Sequence, residues 1–487
     1  KTIEIPLGTV GRLGVYRLHV DFGHFAHQAR FCVVPSSKRD MTARGCPFGM
    51  SAFSAHMARI PPESMVALHR KAGVLRTAHW PWREKLLDVK RDGLLPHGQV
   101  YILNPIRAKF DPKTETFGIG EEKVLEGVRR QVEAVPFADT VLIWHETEPR
   151  VSGVPVEVLA SGVPPPSDEA VLAGKYVNAC GKLLRRHFPQ LKIQIGNTGN
   201  SFGAATIPFR GGANPEYYDY LGIEWPGQAT PPEIGLAQMQ VSQRCASRYA
   251  NRPISLNGCY EFTYRSTHST SVHTISEEAQ ARFYMRDILL SLIHGFRLIN
   301  PGVLIDARNT YFSSFWGSSG FCMAAPSCYP KLSYLSYAVL TKMLDGAVFT
   351  RFLDTGSSSV YAAEFKRADG RFATVFWCRR GEGVMKIGKG DAVEAFSMRG
   401  KSLDVRRVDF GEEPSYVISR KPLTKVLLVD RSFRLGERLY DGGRHAVRVT
   451  TENAKVESVR FKIKPQGPFP AVVTGVDVTD PGDGRCL

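Results

Sequence analysis

From residue 46 to residue 346 the chain alternates short apolar runs with longer stretches whose apolar residues recur every three or four positions. The runs lie at 48–52 (FGMSA), 74–80 (VLRTAHW), 100–103 (VYIL), 141–144 (VLIW), 192–196 (KIQIG), 220–225 (YLGIEW), 253–262 (PISLNGCYEF) and 296–300 (FRLIN), the last extended by 303–305 (VLI). Runs this short between turn signals predict strands buried on both faces. The stretches between them predict helices. One opens at Pro62-Glu63-Ser64 and closes at Gly73; another, from about Glu121, carries Val124, Val128 and Val132. Further helices are expected from Ser167-Asp168-Glu169 to about His187, over about 233–249, from the cap Ser276 to Ile293, and over 332–344. Eight strands interleaved with helices over about 300 residues is the count of a (β/α)8 barrel. A doubly wound open sheet is the competing arrangement, but it wants a Gly-rich phosphate loop after its first strand, and none is present.

Outside this span the period changes to two. Residues 1–40 alternate as strands (IEIPL, VYRLHVDF, ARFCVVP) and are expected to belong to a β-sandwich. Over 347–430, VYAAEFKR and RFATVFWCR flank the turn Asp369-Gly370, and VMKIG, SYVIS and TKVLLVD continue the pattern. Residues 431–487 carry further β signals and a Pro/Gly-rich tail. The predicted class is therefore α/β: a TIM barrel over 46–346 with flanking all-β sandwich segments.

Composition narrows the function. The 487 residues are 43% hydrophobic and 23% charged, which suits a globular chain of several domains. No apolar run is long enough to span a bilayer. The chain opens in a strand-like segment with no signal peptide, so a secreted, periplasmic or extracellular location is expected only from the function class. A net charge of +16 favours anionic partners, yet no nucleic-acid motif or dense basic block appears. Nine cysteines show no C-x-x-C pairing; Cys322 and Cys328, six apart in a Gly/Ser-rich loop, could close a small disulfide.

In a barrel the C-terminal strand ends converge on one face. The residues expected there are Arg76, His79, Trp80 and Trp82 from strand two, His145, Glu146 and Glu148 from strand four, and Glu224 and Trp225 from strand six. Strand seven contributes Tyr260 and Glu261; Arg308, Asn309, Tyr311 and Trp316 follow strand eight. Carboxylates on opposed strands among aromatic rings are the parts of a glycosidase: one acid protonates the leaving oxygen, the other attacks the anomeric carbon or activates water. Burial beside Trp144 would raise the pKa of an acid.

With these residues in view, the chain resembles the clan-A retaining glycoside hydrolases, nearest in texture to family 39. The likeness runs over roughly 46–430 and rests on Ile143-Trp144-His145-Glu146, Glu261 on strand seven, PFGMSAFSAH, LRTAHWPW and YFSSFWG. It implies Glu146 as general acid/base, Glu261 as nucleophile, and Arg76 as an arginine beside that nucleophile. His145 stands where the clan has Asn. Glu148-Pro149 is a rival alignment for the acid, and Glu224 a competitor for the nucleophile.

No metal or cofactor is implied, since strand one has no H-x-H pair. The expected partner is a carbohydrate. Arg83, Arg107, Lys109, Arg150, Arg210, Arg265 and Arg308 all follow barrel strands, which points to an anionic, uronate or sulfated, glycan. A neutral glycan and a non-catalytic glycan-binding role on the same fold are the alternatives. A retaining mechanism calls for carboxyls about 5–5.5 Å apart.

Overall fold

The computed structural model describes residues 10–432 apart from 37–46, 53–59, 79–96, 103–106, 135–137, 144–167, 199–208, 226–230, 248–251, 264–274, 308–314, 389–391 and scattered single or paired positions. Strands β1 (Gly14–Asp21) and β2 (Ala26–Val33) form an antiparallel hairpin. Among the described residues this hairpin is hydrogen-bonded as a sheet of its own. It docks on the barrel. Arg30 pairs with Glu277 at 2.8 Å, Tyr329 Oη donates to the Gln28 carbonyl, and Leu13 and Val15 join the main core.

The barrel follows. Its strands are β3 (Gly49–Ser51), β4 (Arg76–Ala78) and β5 (His97–Tyr101), then, after a short hairpin of β6 (Phe110–Asp111) and β7 (Thr116–Phe117), β8 (Ala138–Ile143), β9 (Lys192–Thr198), β10 (Tyr220–Trp225), β11 (Ile254–Cys259) and β12 (Leu298–Ile299). They are parallel neighbours in chain order, and the bridge Phe48 to Ile299 returns the eighth to the first. Gly49 is required at this closure: a Cβ there would lie 1.7 Å from Asn300 Oδ1. The expected order of eight strands is the observed one, with the last extended by β13 (Val303–Ile305), which pairs with β3 and with β14 (Gly320–Cys322).

Side chains of alternate strands meet across the barrel, as its layered interior requires. Gln99 of the third strand donates to Gln194 of the fifth, and Ser255 of the seventh donates to the same oxygen, each at 3.1 Å. Helices α1 (Pro62–Lys71), α2 (Glu121–Ala134), α3 (Asp168–His187), α4 (Glu277–Ile293) and α5 (Leu332–Met343) cover the outside. The periodic Val124 and Val128 of α2 are buried. At the start of α4, Ser276 caps by accepting from the Ala279 N–H at 3.2 Å, and Glu277 and Glu278 suit the positive helix end.

The C-terminal sandwich has a five-stranded sheet, β15 (Val348–Phe352), β16 (Val360–Lys366), β17 (Phe372–Cys378), β21 (Ser415–Ser419) and β19 (Ala392–Ser397). A three-stranded sheet of β20 (Arg407–Gly411), β18 (Glu382–Ile387) and β22 (Val426–Ser432) faces it. Strand alternation explains its place. Ala363, Phe365, Val375 and Trp377 join the barrel's core, while Val360, Ala362, Phe376 and Cys378 pack with the second sheet. Both faces are therefore buried. Cys322 and Cys328 are thiols rather than a disulfide: Cys322 lies in β14, fully buried, and burial pushes its thiol up. No described helix is long and apolar enough to cross a membrane. The expected segment over 431–487 lies almost wholly outside the described residues.

Candidate active site

Strand order places the ends of the fourth and seventh strands three positions apart around the barrel. Strand β8 ends at Ile143, three residues before Glu146, and β11 ends at Cys259, two before Glu261. Of the residues expected at this face, His79, Trp80, His145, Glu146, Tyr260 and Arg308 lie outside the described residues, as do Trp82, Glu148, Asn309 and Tyr311. Glu224 and Trp225 end β10, paired with Gly258 and Cys259 of β11. Glu224 is thus level with the strand body three residues short of Glu261. Trp316 falls in the 3-10 turn Phe315–Ser318.

Glu261 is completely buried, and α4 grips it. Gln280 Nε2 donates to its carbonyl at 2.7 Å, and its own N–H donates to Tyr284 Oη at 3.1 Å. Gln280 also accepts from Ser333 Oγ of α5 at 3.0 Å, and Tyr284 Oη donates to the Ser319 carbonyl at 2.6 Å. The Tyr284 ring stacks on Phe321 at 4.8 Å. Just beyond, Lys331 Nζ reaches Asp306 at 2.8 Å, Thr263 Oγ1 at 3.1 Å and the Ser318 carbonyl at 2.9 Å. Lys331 and Asp306 are both buried, so each charge depends on the other. The segments after strands seven and eight are in this way tied to each other and to two helices.

A second buried charged group lies further along α4. Asp287 is fully buried, and burial pushes its carboxyl well above the usual carboxylate range. Beside it, Arg286 Nε lies 3.1 Å from Glu233 Oε1, which also accepts from Trp377 Nε1 of the sandwich at 3.0 Å. Glu233 belongs to the 3-10 turn Pro232–Gly235 after strand six, so this knot joins barrel, helix layer and sandwich. None of Glu233, Gln280, Tyr284, Arg286, Asp287, Asp306 or Lys331 stood out in the sequence. The usable signal was Arg286-Asp287 inside the apolar run YMRDILLSLI, where a charge has no reason to sit unless partnered.

Arg76 requires a correction. It is the first residue of β4, not one near its C-terminal end, and its guanidinium forms a two-point pair with Asp139 at 2.9 and 2.8 Å and donates to Thr140 Oγ1 at 3.1 Å. Asp139 and Thr140 open β8, so the pair closes the N-terminal floor of the barrel. The expected place of Arg76 beside the nucleophile assumed a longer strand starting earlier.

No protein-family model matches the chain, and no curated protein matches its sequence. Its fold is similar to that of a family 39 glycoside hydrolase from the gut symbiont Bacteroides cellulosilyticus WH2, at 15% identity and a TM-score of 0.58, over 84% of this chain and 89% of that one. It is also similar to the catalytic domain of the GH30 xylanase C from Talaromyces cellulolyticus, at 11% identity and a TM-score of 0.51, over 76% and 96%. The barrel-plus-sandwich architecture is common to this chain and these glycosidase structures.

Proposed function

We propose that the chain is a retaining glycoside hydrolase. The observation that carries this reading is the strand order: the fourth and seventh strands of a closed parallel barrel each run out into a glutamate, Glu146 and Glu261. Similarity of fold to a family 39 glycoside hydrolase and a xylanase supports it. In the first step the neutral Glu146 carboxyl gives its proton to the glycosidic oxygen, the Glu261 carboxylate bonds to the anomeric carbon, and the alcohol leaves. In the second, Glu146 takes a proton from water, the resulting hydroxide attacks the same carbon, and the ester bond to Glu261 breaks.

The substrate class is an anionic glycan, uronate or sulfated, handled outside the cell. Its support is the net charge of +16 and the basic residues after the barrel strands, of which Arg107 and Lys109 are exposed in the loop after strand three. Comparable turnover of neutral and anionic oligosaccharides would remove this part of the reading.

One observation favours a second reading, a glycan-binding protein without turnover: Glu261 is wholly buried. The variant Glu261→Gln separates the two. For an enzyme, turnover falls by about 10⁴-fold or more while glycan affinity stays; for a binding protein there is no wild-type turnover to lose. Proton NMR of the first-formed sugar tests the stereochemistry, with retention expected.

A further inference from the structure

Lys331 stands where local rules disfavour it. It is the residue before α5, where a helix start prefers Ser, Thr, Asp or Asn and where a cation meets the positive helix end. Its side chain does not cap the helix. Its ammonium is buried and donates to three acceptors: Asp306 Oδ1 at 2.8 Å, the Ser318 carbonyl at 2.9 Å and Thr263 Oγ1 at 3.1 Å. A buried ion pair rarely stabilises a fold better than apolar side chains of similar volume, so stability does not account for it. Its partners do. Thr263 lies two residues after Glu261, Asp306 directly follows β13, and Ser318 ends the turn that carries Trp316. We propose that Lys331 is a positioning residue for Glu261: it locks the segment leaving strand seven to the turn after strand eight, so that the nucleophile and the Trp316 turn keep one separation.

The contacts around Lys331 close on the same two segments. The Ser318 carbonyl also accepts from Gln280 Nε2 and from Thr263 Oγ1, each at 3.3 Å. Gln280 Nε2 in turn donates to the Glu261 carbonyl at 2.7 Å. Asp306 Oδ1 takes a second bond, from the Gly320 N–H at 2.7 Å. Gly320 is required for that approach, because a Cβ there would lie 2.2 Å from the Asp306 nitrogen. Tyr284 Oη bridges the segments once more, accepting from the Glu261 N–H at 3.1 Å and donating to the Ser319 carbonyl at 2.6 Å. Gln280 and Tyr284 thus hold the Glu261 backbone from α4, while Lys331 draws the strand-eight side onto it through Asp306 and Ser318. Such fixing matters to a reaction, since a displacement of about 1 Å at a reacting group can cost about 10²-fold in rate.

The inference rests on Glu261 being the nucleophile, and its test keeps the two apart. The double variant Lys331→Met/Asp306→Leu, Thr263→Val, Thr263→Ser and Glu261→Gln are compared with wild type. Denaturant unfolding, kcat and KM, and amide hydrogen exchange of peptides covering 259–263 and 315–320 are measured. The double variant replaces the pair by apolar side chains, so its stability is largely retained. Its kcat is expected to fall about 100-fold, with KM changed by less than about threefold. Thr263→Val loses the hydroxyl between Lys331 and Ser318; its kcat is expected to fall about tenfold and both peptides to exchange about tenfold faster. Thr263→Ser keeps the hydroxyl and should match wild type. A folded double variant with kcat within about twofold of wild type overturns the proposal, as do equal effects in Thr263→Val and Thr263→Ser. If the double variant does not fold, the two Thr263 variants decide alone. Full activity in Glu261→Gln instead removes the nucleophile reading; the exchange comparison needs no turnover and still judges the lock.

Discussion

At the N-terminal ends of the barrel strands, Arg76 faces Asp139, and Arg185 and Lys192 share Asp219 at 2.9 and 3.5 Å. Beyond the C-terminal end of strand seven, Glu261 and the α4 residue Asp287 are both fully buried. The two ends of one barrel use opposite electrostatic rules. Below, partly exposed acids meet cations and the charges cancel without protons. Above, the acids are fully buried, where a charge costs stability unless a cation or a proton offsets it. A barrel puts its stability at the first end and its chemistry at the second, because the loops that follow the strands can vary without disturbing the sheet. A buried acid is therefore informative where a partly exposed ion pair is not.

This contrast can be broken in graded steps. Glu146→Gln is expected to lower turnover of substrates with poor leaving groups by about 10²–10⁴-fold, and much less with an activated aryl leaving group that needs no proton; steady-state kinetics on both substrate types checks it. Arg286→Leu leaves Glu233 buried with no guanidinium and should destabilise the fold by about 3–5 kcal/mol, read by denaturant unfolding.

The pH dependence of stability follows from Asp287. Its carboxyl is raised in the folded state, so its contribution is fully present below the ordinary aspartate range and is lost as pH rises toward the raised value. Asp287→Asn, neutral at every pH, should therefore gain stability relative to wild type as pH rises from about 4 to 7. A melting difference that stays flat across that range would show that the Asp287 carboxyl is not raised. The smallest effect is expected at the floor. Arg76→Met loses a two-point pair whose acid is about one-third exposed, so about 1–2 kcal/mol of stability is at stake, with kcat/KM unchanged. A large loss of activity there would return Arg76 to the site.

Much of the fold was legible because each barrel strand is buried on both faces and so stands out as an apolar run, from VLIW to YLGIEW. Ser276 and the Asp369-Gly370 turn were legible because capping and turn chemistry is local. The place of Glu261, two residues beyond the seventh strand, could be found by counting strands. Asp287 could not: its helix is buried almost all round, and nothing in a 3.6-residue pattern tells which neighbour a buried acid meets. Arg76 was misplaced because a short run does not say where its hydrogen-bonded strand begins, and two residues at that point separate mid-strand from floor. Cys322 and Cys328 have a spacing that permits a bridge, but one of them belongs to a buried strand. The β1–β2 hairpin alternates like a sandwich strand pair; its partner surface is set by Arg30–Glu277, a contact 247 residues apart in the chain.

The central claim is that Glu261 becomes covalently bonded to the sugar. Incubation with a 2-deoxy-2-fluoro glycoside bearing an activated leaving group, followed by proteolysis and peptide mass spectrometry, tests it directly. The account predicts one glycosyl adduct, on the peptide containing Glu261 and absent in Glu261→Gln. An adduct on the Glu224 peptide, or turnover of the natural substrate with inverted configuration and no adduct at all, would contradict it.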